Sequence, residues 1–109
     1  MLFRSALSGL PTDCFFFAGF LPAKTGERRR AITEASRVPS TLVFFEAPHR
    51  LAESLKDLAE LLGPRPACVA RELTKLFEEL RRAPLDQLAA HYQAHPDVKG
   101  EIEIGRAHV

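Results

Sequence analysis

Three short apolar runs, at residues 14–20, 41–45 and 67–71, each give way within a few residues to a cluster of polar groups. Runs this short, rich in aromatic or β-branched side chains, read as buried strands rather than as buried helices. What separates them restricts the fold further. Leu51, Leu55, Leu58 and Leu62 recur at spacings of three and four, with Ala59 beside them, while Glu53, Lys56, Asp57 and Glu60 take the opposite face. That is an amphipathic helix. Pro48 suits its first turn, and Gly63-Pro64 ends it.

Residues 23–37 carry a weaker helical stripe of Ala31, Ile32, Ala35 and Val38, with Thr25 as a candidate N-cap and Pro39 as a stop. Residues 76–81 fit either a fourth strand or a helical turn. Pro84 opens a further helix with Leu85, Leu88, Ala89 and Tyr92 on one face, and residues 100–104 alternate with the period of a strand. The predicted order is β-α-β-α-β-β-α-β. It implies an α/β domain of three layers, a sheet with covering helices.

The chain has 109 residues, enough for one domain with a modest core. Its 46% hydrophobic and 27% charged content excludes general disorder. A net charge of +1 excludes a uniformly basic nucleic-acid binder, so any such contact must come from a local patch. The start of the chain superficially resembles a signal peptide, but Ser8, Gly9, Pro11, Thr12 and Asp13 interrupt it. The aromatic run at 14–20 is too short to span a bilayer. A cytoplasmic protein without membrane contact is the expectation. Cys14 and Cys68 read as reduced core thiols. His49, His91, His95 and His108 are read as forming no ligand set, and no metal site is expected.

In sheets built from such alternation, ligands gather beyond the carboxyl ends of strands. Three polar clusters fall at those exits: Leu21-Pro22-Ala23-Lys24, Glu46-Ala47-Pro48-His49-Arg50 and Arg71-Glu72-Leu73-Thr74-Lys75. Glu46 is suited to accept hydrogen bonds from an amine, ribose or base edge, or else to pair locally with Arg50. Arg71 and Glu72 can neutralise one another, yet Thr74 and Lys75 add a hydroxyl and an ammonium that reaches phosphate. Lys24, Arg28, Arg29, Arg30 and Arg37 form the most basic region, which reads as a solvated helix face or as a contact for phosphates. The phenylalanines of the apolar runs read as core, Phe45 least securely, because it borders Glu46. No glycine-rich phosphate loop, nucleophile elbow or catalytic triad is present.

Several segments together carry a family resemblance: Ser8-Gly9-Leu10-Pro11-Thr12-Asp13, Gly19-Phe20-Leu21-Pro22-Ala23-Lys24, Gly26-Glu27-Arg28-Arg29, Phe44-Phe45-Glu46-Ala47-Pro48-His49-Arg50-Leu51, Ala70-Arg71-Glu72-Leu73-Thr74-Lys75 and Val98-Lys99-Gly100-Glu101. In this order they resemble the bacterial 16S ribosomal RNA cytidine 2'-O-methyltransferase family, within the tetrapyrrole (corrin/porphyrin) methylase superfamily. The resemblance covers residues 6–102. It implies a second α/β domain at 14–102, incomplete, preceded by an interdomain segment at 6–13. A first domain is expected to precede it, with S-adenosyl-L-methionine held in the cleft between the two.

The resemblance implies cofactor contacts from Phe45, Glu46 and Ala47 and from Ala70, Arg71, Glu72 and Thr74. It implies RNA contacts from Lys24, Arg28, Arg29, Arg30 and Lys75. The implied partners are ribosomal RNA or the small ribosomal subunit, the missing domain, and a second copy of the parent protein. The family often has arginine at the position of Cys14 and tyrosine at that of Phe45. No catalytic residue is assigned, and the chain alone is expected to be inactive. Two other readings stand beside this one: a methylase of a tetrapyrrole or other small molecule, and a non-catalytic cofactor- or RNA-binding module. Met1-Leu2-Phe3-Arg4-Ser5 and Glu103-Ile104-Gly105-Arg106-Ala107-His108-Val109 lie outside the resemblance. Both look like translations of sequencing-adapter DNA and are read as non-native flanks.

Overall fold

The computed structural model describes residues 15–72 and 78–107. Five strands and three helices follow in the predicted order: β1 (Phe15–Phe20), α1 (Thr25–Ala35), β2 (Thr41–Glu46), α2 (Leu51–Leu62), β3 (Pro66–Glu72), β4 (Glu78–Pro84), α3 (Leu85–Ala94) and β5 (Glu101–Arg106). A short 3-10 turn, Pro48–Arg50, leads into α2. The segment that suited either a strand or a helical turn begins in the undescribed residues and continues as β4. Thr25 does not cap α1 with its side chain; Lys24 occupies the N-cap position, and the Thr25 hydroxyl bonds to Glu53 on α2 instead.

The strands form one mixed sheet in the order β1-β2-β5-β3-β4. β1 and β2 are parallel, whereas β5 lies antiparallel between β2 and β3, and β4 closes a hairpin on β3. β2 and β3 therefore point the same way. Ile32 of α1, Leu55 of α2 and Leu88 of α3 belong to one cluster with Phe44, Val69 and Ile104, which share one sheet face. Among the described residues the helices thus form a single layer, not the two implied by a three-layer domain. The physical reason is the handedness of crossovers. β1-α1-β2 and β2-α2-β3 step across the sheet in one direction, so right-handed connections lay both helices on the same face.

α2 is as expected on its apolar side, with Leu51, Leu55 and Leu58 buried. Gly63, at φ +80°, ends it by donating its N–H to Ala59 O at 3.0 Å. Asp57 departs from the pattern: it sits on the polar stripe but is buried. The phenylalanines of β1 depart as well. Phe16 and Phe17 are each 39% exposed and Phe20 72%. Among the described residues β1 is an edge strand with one neighbour, which leaves part of its surface uncovered. A register shift between Phe17 and Gly19, with Gly19 at φ +80°, turns Phe17 and Phe20 to the same face. Cys68 is a buried free thiol, as expected, and burial pushes its pKa up. Cys14 lies outside the described residues.

The closing strand runs two residues further than its alternation suggested, and it is central. Ile102 and Ile104 face the helices, while Glu103 faces the other side beside Phe45 and Ala70. Glu103–Arg106, read from the sequence as part of a non-native flank, therefore occupy the middle of the sheet. Among the described residues no helix is long and apolar enough to cross a membrane.

Candidate ligand cleft

The topology brings the carboxyl ends of β1, β2 and β3 to one edge of the sheet, with the amino end of β5 between the last two. Phe20, Phe45, Glu103 and Ala70 make one row across four neighbouring strands. Glu46, Ile102 and Arg71 make the next row, on the helical side. The two clusters picked out by the sequence are thus separated by one strand.

A cavity of about 330 Å³ opens at this edge. Phe20, Phe45, Glu46, Ala47 and Pro48 line one side of it and Gly100, Glu101, Ile102 and Glu103 the other. It takes in three of the predicted cofactor residues, Phe45, Glu46 and Ala47, and leaves out Ala70, Arg71 and Glu72. Thr74 and Lys75 lie outside the described residues. The contribution of residues 100–103 was not legible as site chemistry. Glycine beside two alternating glutamates looks like a strand start, and only the pairing of β5 with both β2 and β3 carries it there.

Aromatic rings form the floor. The Phe45 ring lies 5.4 Å from that of Phe20 and 6.1 Å from that of Phe17, the latter nearly parallel at 15°. Because Phe20 stays largely exposed, with its ring tilted 37° to that of Phe45, the cluster presents an angled apolar surface to whatever enters. Glu46 follows the second of the two readings the sequence allowed, local pairing with Arg50. Its carboxylate is buried and accepts from the Ser54 hydroxyl, from the Ala47 N–H at 2.7 Å and from Arg50 Nε at 3.2 Å. Those bonds fix the turn from β2 into α2 and occupy the group. We expect Glu46→Gln to lower stability by about 1–2 kcal/mol, since it weakens three charge-assisted bonds in a buried setting. Urea denaturation measures this, and a loss under about 0.5 kcal/mol would show the carboxylate to be dispensable for the turn.

Arg71 also acts as a strut. It bonds Glu79 Oε2 at 2.9 Å and the carbonyl of Lys99 at 3.3 Å, tying the β3–β4 hairpin to the loop that delivers Gly100. Arg71 holds the Glu79 carboxyl below its usual range. On the opposite face Glu72 pairs in register with both Glu78 and Glu101, and Glu103 lies next to them on β5. Burial pushes the Glu103 carboxyl up to about 7, and the fields of Glu101, Glu78 and Glu72 act in the same direction. Among the described residues its Oε2 is buried without a hydrogen-bond partner.

The basic region is only partly a surface. Lys24 and Arg30 are exposed. Arg28 is not, which corrects its assignment to an RNA contact: it is fully buried, bonding Asp57 at 2.7 Å, Glu53 at 2.8 Å and the Ala23 carbonyl at 3.0 Å. Arg29 reaches Asp57 at 2.6 Å and Glu60 at 2.9 Å. The acids spaced along α2 at 53, 57 and 60 meet the basic side of α1, a match visible only once the helices are paired. Among the described residues no group of three or more His, Cys, Asp or Glu is placed to hold a metal ion.

The tetrapyrrole (corrin/porphyrin) methylase family matches residues 4–89. The chain belongs to that family. It is 54% identical over 98 residues to the ribosomal RNA small subunit methyltransferase I of Mesorhizobium japonicum, covering 89% of this chain and 33% of the relative. A protein of the same name from Micromonospora olivasterospora is 46% identical over 97 residues, 31% of its length. The chain thus spans about a third of these curated relatives. Among solved structures, diphthine synthase superposes with a TM-score of 0.63 over 95% of this chain and 43% of its own, at 12% identity. Cobalt precorrin-4 methyltransferase, a cobalamin biosynthetic enzyme, gives 0.61 over 94% and 47%, at 14% identity. At such identities these likenesses establish the shared fold.

Proposed function

We propose that this methylase-family chain forms one wall of an S-adenosyl-L-methionine cleft in an enzyme that methylates the ribose 2'-hydroxyl of a cytidine in small-subunit ribosomal RNA. The similarity to ribosomal RNA small subunit methyltransferase I across most of the chain carries the choice of substrate class. The residues of the cleft fit the cofactor. Phe20 and Phe45 offer an aromatic surface for a purine, and Glu101 sets a carboxylate beside it, suited to a cationic ligand.

The cofactor supplies an electrophilic methyl group on a sulfonium. What the chain supplies is placement. The Glu46–Ser54–Arg50 bonds hold the Ala47 backbone at the rim, and the Arg71 strut holds Gly100 opposite. In-line transfer depends on alignment of this kind. Exposed Lys24 and Arg30, together with Lys75, are the proposed contacts to RNA phosphates. Catalysis is assigned to the longer protein, with a preceding domain forming the other wall, and the chain alone is expected to transfer no methyl group.

A chimera tests the assignment. Residues 6–102 replace the matching third of the Mesorhizobium japonicum relative, and the product is supplied with labelled cofactor and small ribosomal subunits. Label is expected on a cytidine 2'-oxygen. A chimera that folds and binds cofactor but leaves the RNA unlabelled, while the unaltered relative labels it, would overturn the proposal. Transfer by the isolated chain would overturn its expected inactivity.

A further inference from the structure

We propose that the carboxyl end of α3 seats a nucleotide of single-stranded RNA, its base stacked on the His95 imidazole and its phosphate on Arg81. The proposal rests on the RNA reading above and adds a contact outside the ligand cleft. His95 follows the last turn of α3, four residues after His91, and the two rings are stacked, with centroids 4.5 Å apart and planes inclined by 24°. His91 is half-buried and His95 exposed. The inner ring thus backs the outer one, whose other face is turned to solvent.

The His95 ring is also held in place. Its Nδ1 lies 2.9 Å from the carbonyl oxygen of His91. A carbonyl only accepts, so Nδ1 carries the proton and donates. The His95 backbone N–H reaches the same carbonyl at 3.0 Å. A ring fixed in this way loses little freedom when a base is laid on it. On the inner side, the His91 ring meets that of Tyr92 edge-on, with centroids 4.8 Å apart.

Positive charge gathers at the same corner. Arg71 stands opposite Glu79 in the β3–β4 hairpin, and Val69 opposite Arg81. Val69 faces the helices, so strand alternation puts Glu79 and Arg81 on that face as well. Glu79 is taken up by Arg71, whereas Arg81 is exposed and forms no ion pair among the described residues. Burial, and after it the field of Arg81, holds the His91 imidazole below its usual pKa, which agrees with a guanidinium close to the ring stack. The Tyr92 hydroxyl lies in the same field, buried and without a hydrogen-bond partner among the described residues. A fixed ring with an open face beside a cation suits an unpaired nucleotide; a duplex keeps the faces of its bases covered. Arg71 also bonds the carbonyl of Lys99, next to Gly100 of the cleft, so the seat adjoins the proposed site of transfer.

The test is fluorescence anisotropy of a labelled single-stranded RNA of small-subunit sequence, and of its duplex, titrated with the full 109-residue chain. The single strand is expected to bind more tightly than the duplex. His95→Ala should weaken binding about tenfold, the cost of one lost base stack, and His95→Phe, a ring that carries no charge, should restore it. Arg81→Ala should lower the slope of log affinity against log salt by about 0.7. A His95→Ala variant that keeps its helical circular dichroism and binds the single strand as before would overturn the proposal. So would His95→Phe binding as weakly as His95→Ala, a duplex bound as tightly as the single strand, or no saturable binding below about 1 mM. Because the readout is binding, failure here is distinct from failed methyl transfer in the chimera.

Discussion

Replacing Arg28 with alanine is expected to cost about 3–5 kcal/mol of folding stability, the range for breaking a buried ion pair by removing one partner. The guanidinium has no exposed surface, and its partner Asp57 is 7% exposed at the side chain. Removal leaves that carboxylate in the interior with Arg29 alone. It also strands the Ala23 carbonyl in the loop between β1 and α1, which Arg28 now holds at 3.0 Å. The bond to Glu53 contributes little, because Glu53 is 57% exposed and solvent screens the pair. Lysine is a poor substitute. Its single ammonium cannot serve Asp57, Thr25 and the loop carbonyls together. Arg28→Lys should therefore recover only part of the loss, and Arg28→Met with Asp57→Leu more of it. Urea unfolding of the single and double variants separates these effects, and a loss below about 1 kcal/mol for Arg28→Ala would mean that the network is solvated.

Arg28 also shows where sequence reasoning ends. The order of elements was legible because each element announces itself locally: the leucines of α2 by their period, β2 by its β-branched and aromatic run, β5 by alternation. What the elements do to one another was not legible. Arg28 in a basic stretch looks like a surface cation until α2 sets Asp57 and Glu53 against it. The phenylalanines of β1 look like core until the strand proves to be an edge. The cleft follows the same division. Glu46 and Ala47 were legible as a polar cluster that ends an apolar run, with Phe45 added by the family resemblance, whereas Glu101 and Glu103 enter through the insertion of β5 between β2 and β3. That pairing joins residues far apart in the chain.

Glu103 gives the second large effect, a stability that falls as pH rises. Its carboxyl titrates at about 7 in the folded chain against an ordinary value of 4.5. The folded state therefore favours the protonated form. The stabilisation from that proton is complete below the unfolded value and is lost as pH climbs through the folded one. The difference corresponds to about 3 kcal/mol between pH 4.5 and pH 7. Burial sets the sign, and the carboxylates of Glu101 on its own strand, Glu78 on β4 and Glu72 on β3 add to it. Glu103→Val should remove the dependence and leave a chain more stable at pH 8 by a similar amount, since a central strand buried on both faces calls for an apolar residue there. Other titrating groups, His91 among them, are common to both proteins and cancel in the comparison. Denaturant midpoints of the two proteins at pH 5 and pH 8 measure the effect. Parallel pH profiles would place Glu103 in contact with water and remove the reason to regard it as out of keeping with its strand. Diverging profiles would show that the carboxyl is buried at a cost, because a glutamate without a partner among the described residues is an unfavourable occupant for the middle of a sheet.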